Sequence, residues 1–277
     1  MEWRRTIVEN IANKLEQLND LLIGLESIVV AFSGGVDSSF LAAAALRAVG
    51  EKAIAVTAFS ETLPESEKNE AISIAKQIGI KHILLDISEL NSPDFVENNK
   101  QRCYYCKQER FSALVAWAKD NNYNWVLDGS NVDDLSDYRP GIKAVEELEH
   151  VRSPLIEVGL AKKEIRETSK AWALTTWNKD SAACLSSRIA YGLSITGERL
   201  NQIEKAEALV KTFCPGQVRV RHHGNIARIE VLPENISLIT APRVAKHIEQ
   251  GLKKIGFTYV TVDLAGYRSG SMNEVLV

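Results

Sequence analysis

The stretch best equipped for chemistry is Ser33-Gly34-Gly35-Val36-Asp37-Ser38-Ser39. Two adjacent glycines let a backbone turn tightly and approach phosphate with no side chain in the way. The amides of such a loop, with the Ser38 and Ser39 hydroxyls, are donors for phosphate oxygens. A helix starting here adds the positive end of its dipole. Asp37 is the residue placed to help hold a magnesium ion that bridges phosphates. The chain has no Gly-Lys pair and no Gly-x-Gly-x-x-Gly. This is therefore neither a Walker-type P-loop nor a dinucleotide fingerprint.

Further candidates lie downstream. Asp128-Gly129-Ser130-Asn131, with Asp133, Asp134 and Asp137 next, is acidic and contains a glycine. It suits metal or nucleotide contact, or is a solvated polar loop. Thr57-Ala58-Phe59 ends an apolar run and either flanks an adenine or is buried sheet.

Cys103-Tyr104-Tyr105-Cys106 is a Cys-x-x-Cys between Arg102 and Lys107, whose charges favour thiolate. Cys184 stands apart in Ala182-Ala183-Cys184-Leu185-Ser186-Ser187-Arg188. Three thiolates hold a [4Fe–4S] cluster with one iron left open. Reactive unligated thiols fit the same residues, and so does structural zinc if Cys214 is a fourth ligand. Cys214 opens a Cys-Pro at a helix end and reads more simply as structural. Arg219 and Arg221 alternate on one strand and so share a face. Two guanidiniums there can clasp a phosphate, and Arg268 and Ser269 are candidates for the same task. Exposed strand arginines are the plain alternative.

The elements that must position these residues are legible as periodicity. Residues 1–22 repeat apolar residues at helical spacing, and 27–32 form a short apolar run fit for a buried parallel strand. Helices follow at 38–49, 64–78, 111–121 and 162–172, with strands at 52–59, 81–87, 125–127 and 151–154. Strands alternating with helices predict an α/β fold with a doubly wound parallel sheet. The alternation ends near Trp177, and 178–195 reads as a loop rich in Ser, Ala and Gly. Beyond it come a helix at 196–213, strands at 217–222 and 225–232, a helix at 244–255 and a strand at 257–262, a small α+β domain. The expected division is residues 1–177 as the nucleotide domain and 178–277 as a linker carrying Cys184 plus a domain for substrate and oligomerisation.

The 277 residues are 45% hydrophobic and 25% charged, enough apolar material for a full core. A net charge of −3 argues against a global grip on nucleic acid, which needs an excess of Lys and Arg. No apolar run is long enough to span a bilayer, and the N-terminus lacks a signal-peptide core. The expected location is the cytoplasm. Four cysteines there do not suggest a disulfide framework.

The loop Ser33–Ser39, after an apolar strand and before a helix, resembles the PP-loop of the ATP-pyrophosphatase superfamily, over roughly residues 1–175. Members include NAD synthase, GMP synthase and tRNA thiolases. They cleave ATP between the α- and β-phosphates and form adenylated intermediates. A narrower likeness rests on SGGVDSS, RCYYCK, LDGSN with DYRPG, ACLSSR and the terminal DLAGYRSGSMN, in that order. Together they resemble the LarE family across nearly the whole chain.

That resemblance implies ATP-dependent sulfur transfer to a pyridinium dicarboxylate mononucleotide, making the dithio ligand of the nickel-pincer cofactor of lactate racemase. In one branch the cysteine matching Cys184 gives up its own sulfur and becomes dehydroalanine. In another, cysteines matching Cys103, Cys106 and Cys184 carry a [4Fe–4S] cluster, and a sulfide donor is implied. All three are here, which favours the cluster branch. The resemblance also implies a homo-oligomer, a hexamer, and carboxylates near the sulfur site at Glu207 and Glu230. A tRNA thiolase would need RNA binding. An amide ligase like NAD synthase would leave the Cys-x-x-Cys without a task. An ATP-sensing module would bind nucleotide without turnover.

Overall fold

The structure, a computed structural model, describes residues 2–136, 140–180 and 183–276. In chain order the elements begin with α1 (Glu2–Gly24), β1 (Ile28–Ala31), α2 (Val36–Val49), β2 (Ala53–Phe59), α3 (Glu65–Ile78) and β3 (Lys81–Asp86). Then come α4 (Pro93–Val96), α5 (Arg102–Asp120), β4 (Trp125–Leu127), α6 (Pro140–Glu146), β5 (Val151–Arg152), α7 (Pro154–Glu157) and α8 (Lys162–Ala171). The last are α9 (Gly197–Lys211), β6 (Val218–His223), β7 (Ile226–Val231), α10 (Ile236–Thr240), α11 (Pro242–Ile255) and β8 (Tyr259–Val262). The chain forms two compact units. One comprises residues 1–60, 65–89 and 103–182; the other comprises 61–64, 90–102 and 183–277.

In the first unit, five parallel strands run in the order β3-β2-β1-β4-β5. Ile28, Val29 and Val30 of β1 are fully buried because helices cover both faces of the central strand. Each such side chain stabilises the fold by about 1.5–3 kcal/mol. The alanine run of α2 lets that helix lie close on the sheet, where Phe40, Leu41, Ala42 and Ala45 are sealed. Strand order reverses between β1 and β4. The two chains leaving their carboxyl ends diverge there and open the crevice in which doubly wound sheets bind ligands.

Helix α5 starts nine residues before the expected Phe111, at Arg102. Its first turns are polar and carry no apolar stripe, so periodicity misses them. The Asn99 carbonyl oxygen accepts from Arg102 N at 3.1 Å and its side chain from Gln101 N at 2.8 Å, and this polar capping begins the helix.

In the second unit, β6 pairs antiparallel with β7 and β7 parallel with β8. Val218 and Val220 of β6, with Ala227, Ile229 and Val231 of β7, face a core closed by Ile248 and Leu252 of α11. Cys214 belongs to this core; burial pushes its thiol pKa up. The Cys-x-x-Cys, by contrast, lies in the first turns of α5. Among the described residues, no helix is long and apolar enough to cross a membrane.

Candidate functional site

The first unit brings the loops after β1 and β4 together at the switch point. Gly34 has φ +69°, and a Cβ there would sit 3.0 Å from the Cα of Ala71 on α3. Only glycine fits both the left-handed backbone and this close approach. Gly35 precedes α2 in extended conformation. Ser38 is buried under the loop and fixes its shape. Its Oγ accepts from Ser33 N at 3.3 Å, donates to Gly35 O at 3.3 Å, and lies 3.1 Å from Ser33 Oγ. Ser39 Oγ is buried with no hydrogen-bond partner among the described residues. Gly129 packs on the same helix start, where a Cβ would lie 3.3 Å from Ser38 N.

Asp37, in the first turn of α2, points a half-buried carboxylate at this crevice. Its Oδ1 accepts from Asn131 Nδ2 at 3.3 Å, and its Oδ2 is bonded by Lys162 Nζ. Burial pushes the Asp37 carboxyl above the usual carboxylate range, against the pull of the Lys162 ammonium. Asp128 is nearly buried and held by Lys107 Nζ at 3.0 Å, which also reaches Ser130 Oγ at 3.3 Å. Asn131 N–H donates to Asp134 Oδ2 at 3.0 Å, and Asn131 Oδ1 accepts from Asp133 N–H at 3.0 Å, so this loop is internally fixed. Asp137 lies outside the described residues.

Thr57 is 2% exposed and its hydroxyl is committed. It donates to Phe32 O at 2.6 Å and therefore accepts from His82 Nε2 at 2.8 Å. Phe59 is half-buried, with the Lys68 ammonium 3.9 Å above its ring. Cys103 is exposed, and Cys106 half-buried with its thiol 3.6 Å from Oε1 of the wholly buried Glu89. Burial raises the pKa of Glu89, but Arg110 and hydrogen bonds from Ser60 and Arg110 more than offset this and hold it low.

Lys162 and Lys179 were not singled out from sequence. Lys179 Nζ lies 3.4 Å from Gly34 O and pairs with Glu67 at 3.0 Å and Glu70 at 2.9 Å. Lys162 is the first residue of α8. A cation at a helix N-terminus opposes the dipole, and that local conflict is the one signal the sequence offered for it.

The second unit gathers its own polar cluster. Arg188 bonds Glu207 through Nε at 2.9 Å, and its Nη1 reaches Ala183 O at 2.6 Å and Cys184 O at 2.8 Å. The Cys184 backbone is thereby held to a buried ion pair. Arg221 pairs with Glu230 at 2.7 Å, and Ser271 Oγ donates to the other Glu230 oxygen at 2.8 Å. Arg221 Nη1 lies 3.5 Å from Ser187 O. Arg228 spans Glu230 and Asp263, each at 3.1 Å.

Arg219 and Arg221 are 8% and 5% exposed, so they are not exposed strand arginines. Arg219 differs from the others. It bonds Val218 O at 2.9 Å and lies 5.5 Å from the Tyr267 ring, and among the described residues no carboxylate bonds it directly. Burial, followed by repulsion from Arg188, depresses its pKa against the opposing pull of Glu207 and Tyr267. Glu207, whose charge reaches this buried guanidinium, is already bonded by Arg188; such a group is stabilised by an anion that binds it. Arg268 is half-exposed and paired with Asp263 at 3.4 Å and Glu274 at 3.1 Å, while Ser269 is exposed. Among the described residues, no group of three or more His, Cys, Asp or Glu side chains is arranged to hold a metal ion.

A parallel sheet with a glycine-turned loop between β1 and α2, lacking Gly-Lys and facing a second loop at the switch point, defines a nucleotide-binding protein of the PP-loop class. The sequence matches the NAD synthase family over residues 6–124. It is 36% identical over 269 residues to the pyridinium-3,5-bisthiocarboxylic acid mononucleotide synthase of Lactiplantibacillus plantarum, covering 96% of each chain. It is 41% identical over 266 residues to an uncharacterized protein of Synechocystis sp., covering 96% of this chain and 99% of that one. An uncharacterized protein of Methanocaldococcus jannaschii is 31% identical over 244 residues, 88% of this chain and 92% of its own length. The chain belongs to the LarE family.

Proposed function

We propose that this chain is a magnesium–ATP-dependent sulfur transferase. It adenylates a carboxylate of pyridinium-3,5-biscarboxylic acid mononucleotide and replaces carboxylate oxygen by sulfur, making the dithio ligand of the nickel-pincer cofactor. The observation that carries this reading is the cluster of the second unit. The loop bearing Cys184 is bound to Arg188 and Arg221, beside a strand on which the buried Arg219 bonds no carboxylate directly among the described residues. A carboxylate substrate that also carries a phosphate supplies that anion. An amide ligase has no use for the thiol.

The chemistry follows in two displacements. A substrate carboxylate oxygen attacks the α-phosphorus of ATP and pyrophosphate leaves. The positive end of α2, which starts at Val36, would face the charge that grows on pyrophosphate. A sulfur nucleophile then adds to the acyl-adenylate carbon, and AMP leaves with the carboxylate oxygen. Asp37 is the residue that would hold magnesium. Magnesium commonly takes one or two protein carboxylates and completes its shell with phosphates and water, and the half-buried Asp37 fits that pattern.

Cys103, Cys106 and Cys184 are the residues that would hold a [4Fe–4S] group. None of the three is in a disulfide, and Cys103 and Cys106 stand one helical turn apart on α5, the donor type and spacing such a group takes. When bound, such a group offers an open iron for hydrosulfide from an external donor, so one chain can deliver sulfur repeatedly. If Cys184 acts alone, its Cβ–S bond breaks with loss of the Cα proton, leaving dehydroalanine after one transfer.

The test is release of AMP and pyrophosphate that depends on the mononucleotide. Asp37→Ala is expected to abolish it in a protein with an unchanged circular dichroism spectrum. Release that is independent of a carboxylate substrate, or that survives the substitution, overturns the reading.

A further inference from the structure

Lys162 is paired with the carboxylate that would hold a metal. Its ammonium bonds Asp37 Oδ2 while Asn131 holds Oδ1, so both carboxylate oxygens are engaged. The backbone of Lys162 is anchored, since its N–H donates to Asp133 Oδ2 at 2.7 Å. Its side chain is not, being about a third exposed, with a four-carbon stem that can swing. A divalent ion on Asp37 would stand within a few ångströms of this ammonium, and like charges so close repel strongly. The incoming ion and the resident ammonium therefore compete for one carboxylate, and a displaced ammonium needs another anion.

We propose that Lys162 is the resident counter-ion of Asp37 and exchanges partners when nucleotide binds. The metal takes the carboxylate, and the ammonium passes to the polyphosphate that arrives with it. Without nucleotide the nearby carboxylates include Asp133 and Asp134, already engaged by Lys162 N and Asn131 N, so the polyphosphate is the better partner and metal binds more tightly with nucleotide than alone. This rests on the reading of the Ser33–Ser39 loop as an ATP site. It also gives the lysine at the start of α8 a task that outweighs its unfavourable place on the helix dipole.

Manganese is the probe, followed by electron paramagnetic resonance on the full chain with no carboxylate substrate, so that no turnover occurs. Wild type is expected to bind manganese weakly without ATP and tightly with it. Lys162→Met keeps most of the stem and removes the charge. It is expected to bind manganese alone at least tenfold more tightly than wild type, and manganese–ATP at least tenfold more weakly. Lys162→Arg keeps the charge and should screen Asp37 as wild type does, and Asp37→Asn should remove the manganese gained by Lys162→Met. A gain in metal affinity without loss of nucleotide affinity overturns the transfer of the ammonium. A loss of nucleotide affinity without a gain in metal affinity overturns the screening of Asp37, and no change in either overturns both. Wild type that binds no ATP at all refutes the nucleotide site itself, a result distinct from these.

Discussion

Substitution of Gly34 by alanine tests the phosphate loop at its tightest point. An L-residue at φ +69° costs about 1–2 kcal/mol relative to glycine. The new Cβ would lie 3.0 Å from the Cα of Ala71 and 3.2 Å from its Cβ, so the backbone of α3 must give way. Overpacking of this kind costs about 1–3 kcal/mol. The stiffer unfolded chain returns about 0.4–1 kcal/mol. The net loss is about 1–5 kcal/mol, or roughly 2–20 °C in melting midpoint for a domain of this size. Gly35→Ala is the matched control. Its φ of −78° suits any residue, and the added Cβ meets only the movable Ser33 Oγ at 3.3 Å. That variant should stay within about 1 kcal/mol of wild type. Thermal unfolding followed by circular dichroism, without ligand, separates the two. Equal midpoints for Gly34→Ala and Gly35→Ala would refute the packing argument.

Three more outcomes are expected. Arg219→Met should leave the ligand-free protein as stable as wild type or more so, while Arg221→Ala removes two charge-assisted hydrogen bonds from the buried Glu230, which keeps Arg228 and Ser271, and should cost about 1.5–3 kcal/mol; both should weaken the mononucleotide more than ATP in calorimetric titrations, and destabilisation by Arg219→Met would contradict the absence of a directly bonded carboxylate. His222 is buried and bonded to Gln202, and burial, then Arg199 and His223, lower its pKa from 6.5 to about 4. Its folded pKa is depressed, so the unfolded chain binds more protons in this range; the stability is full above pH 6.5 and falls as pH drops from 6.5 to 4. His222→Gln should remove part of that slope in urea unfolding, and an identical slope would show that the imidazole is not the group involved. Anaerobically purified protein should contain iron and sulfide in amounts lost together in Cys103→Ser and Cys106→Ser, whereas one sulfur per chain with Cys184 converted to dehydroalanine would favour the sacrificial route.

Local physics made much of this protein legible in its sequence. The alternation of apolar runs and helical stripes specifies a parallel sheet, because strands buried on both faces must be continuously apolar. The glycines of Ser33–Ser39 mark a tight strand–helix turn, and the 2-residue period of β6 puts Arg219 and Arg221 on one face. Tertiary structure decided which charges meet. Lys162 lies far from Asp37 along the chain, and nothing local to either residue announces the pair. Whether Arg219 is solvated or buried depends on what covers its strand, and that is set by packing. The burial of Thr57 and its bond to His82 follow from the register of β2 against β3, not from either residue alone. Periodicity reports how one element meets a core, whereas an ion pair between distant segments depends on where the whole fold brings their backbones.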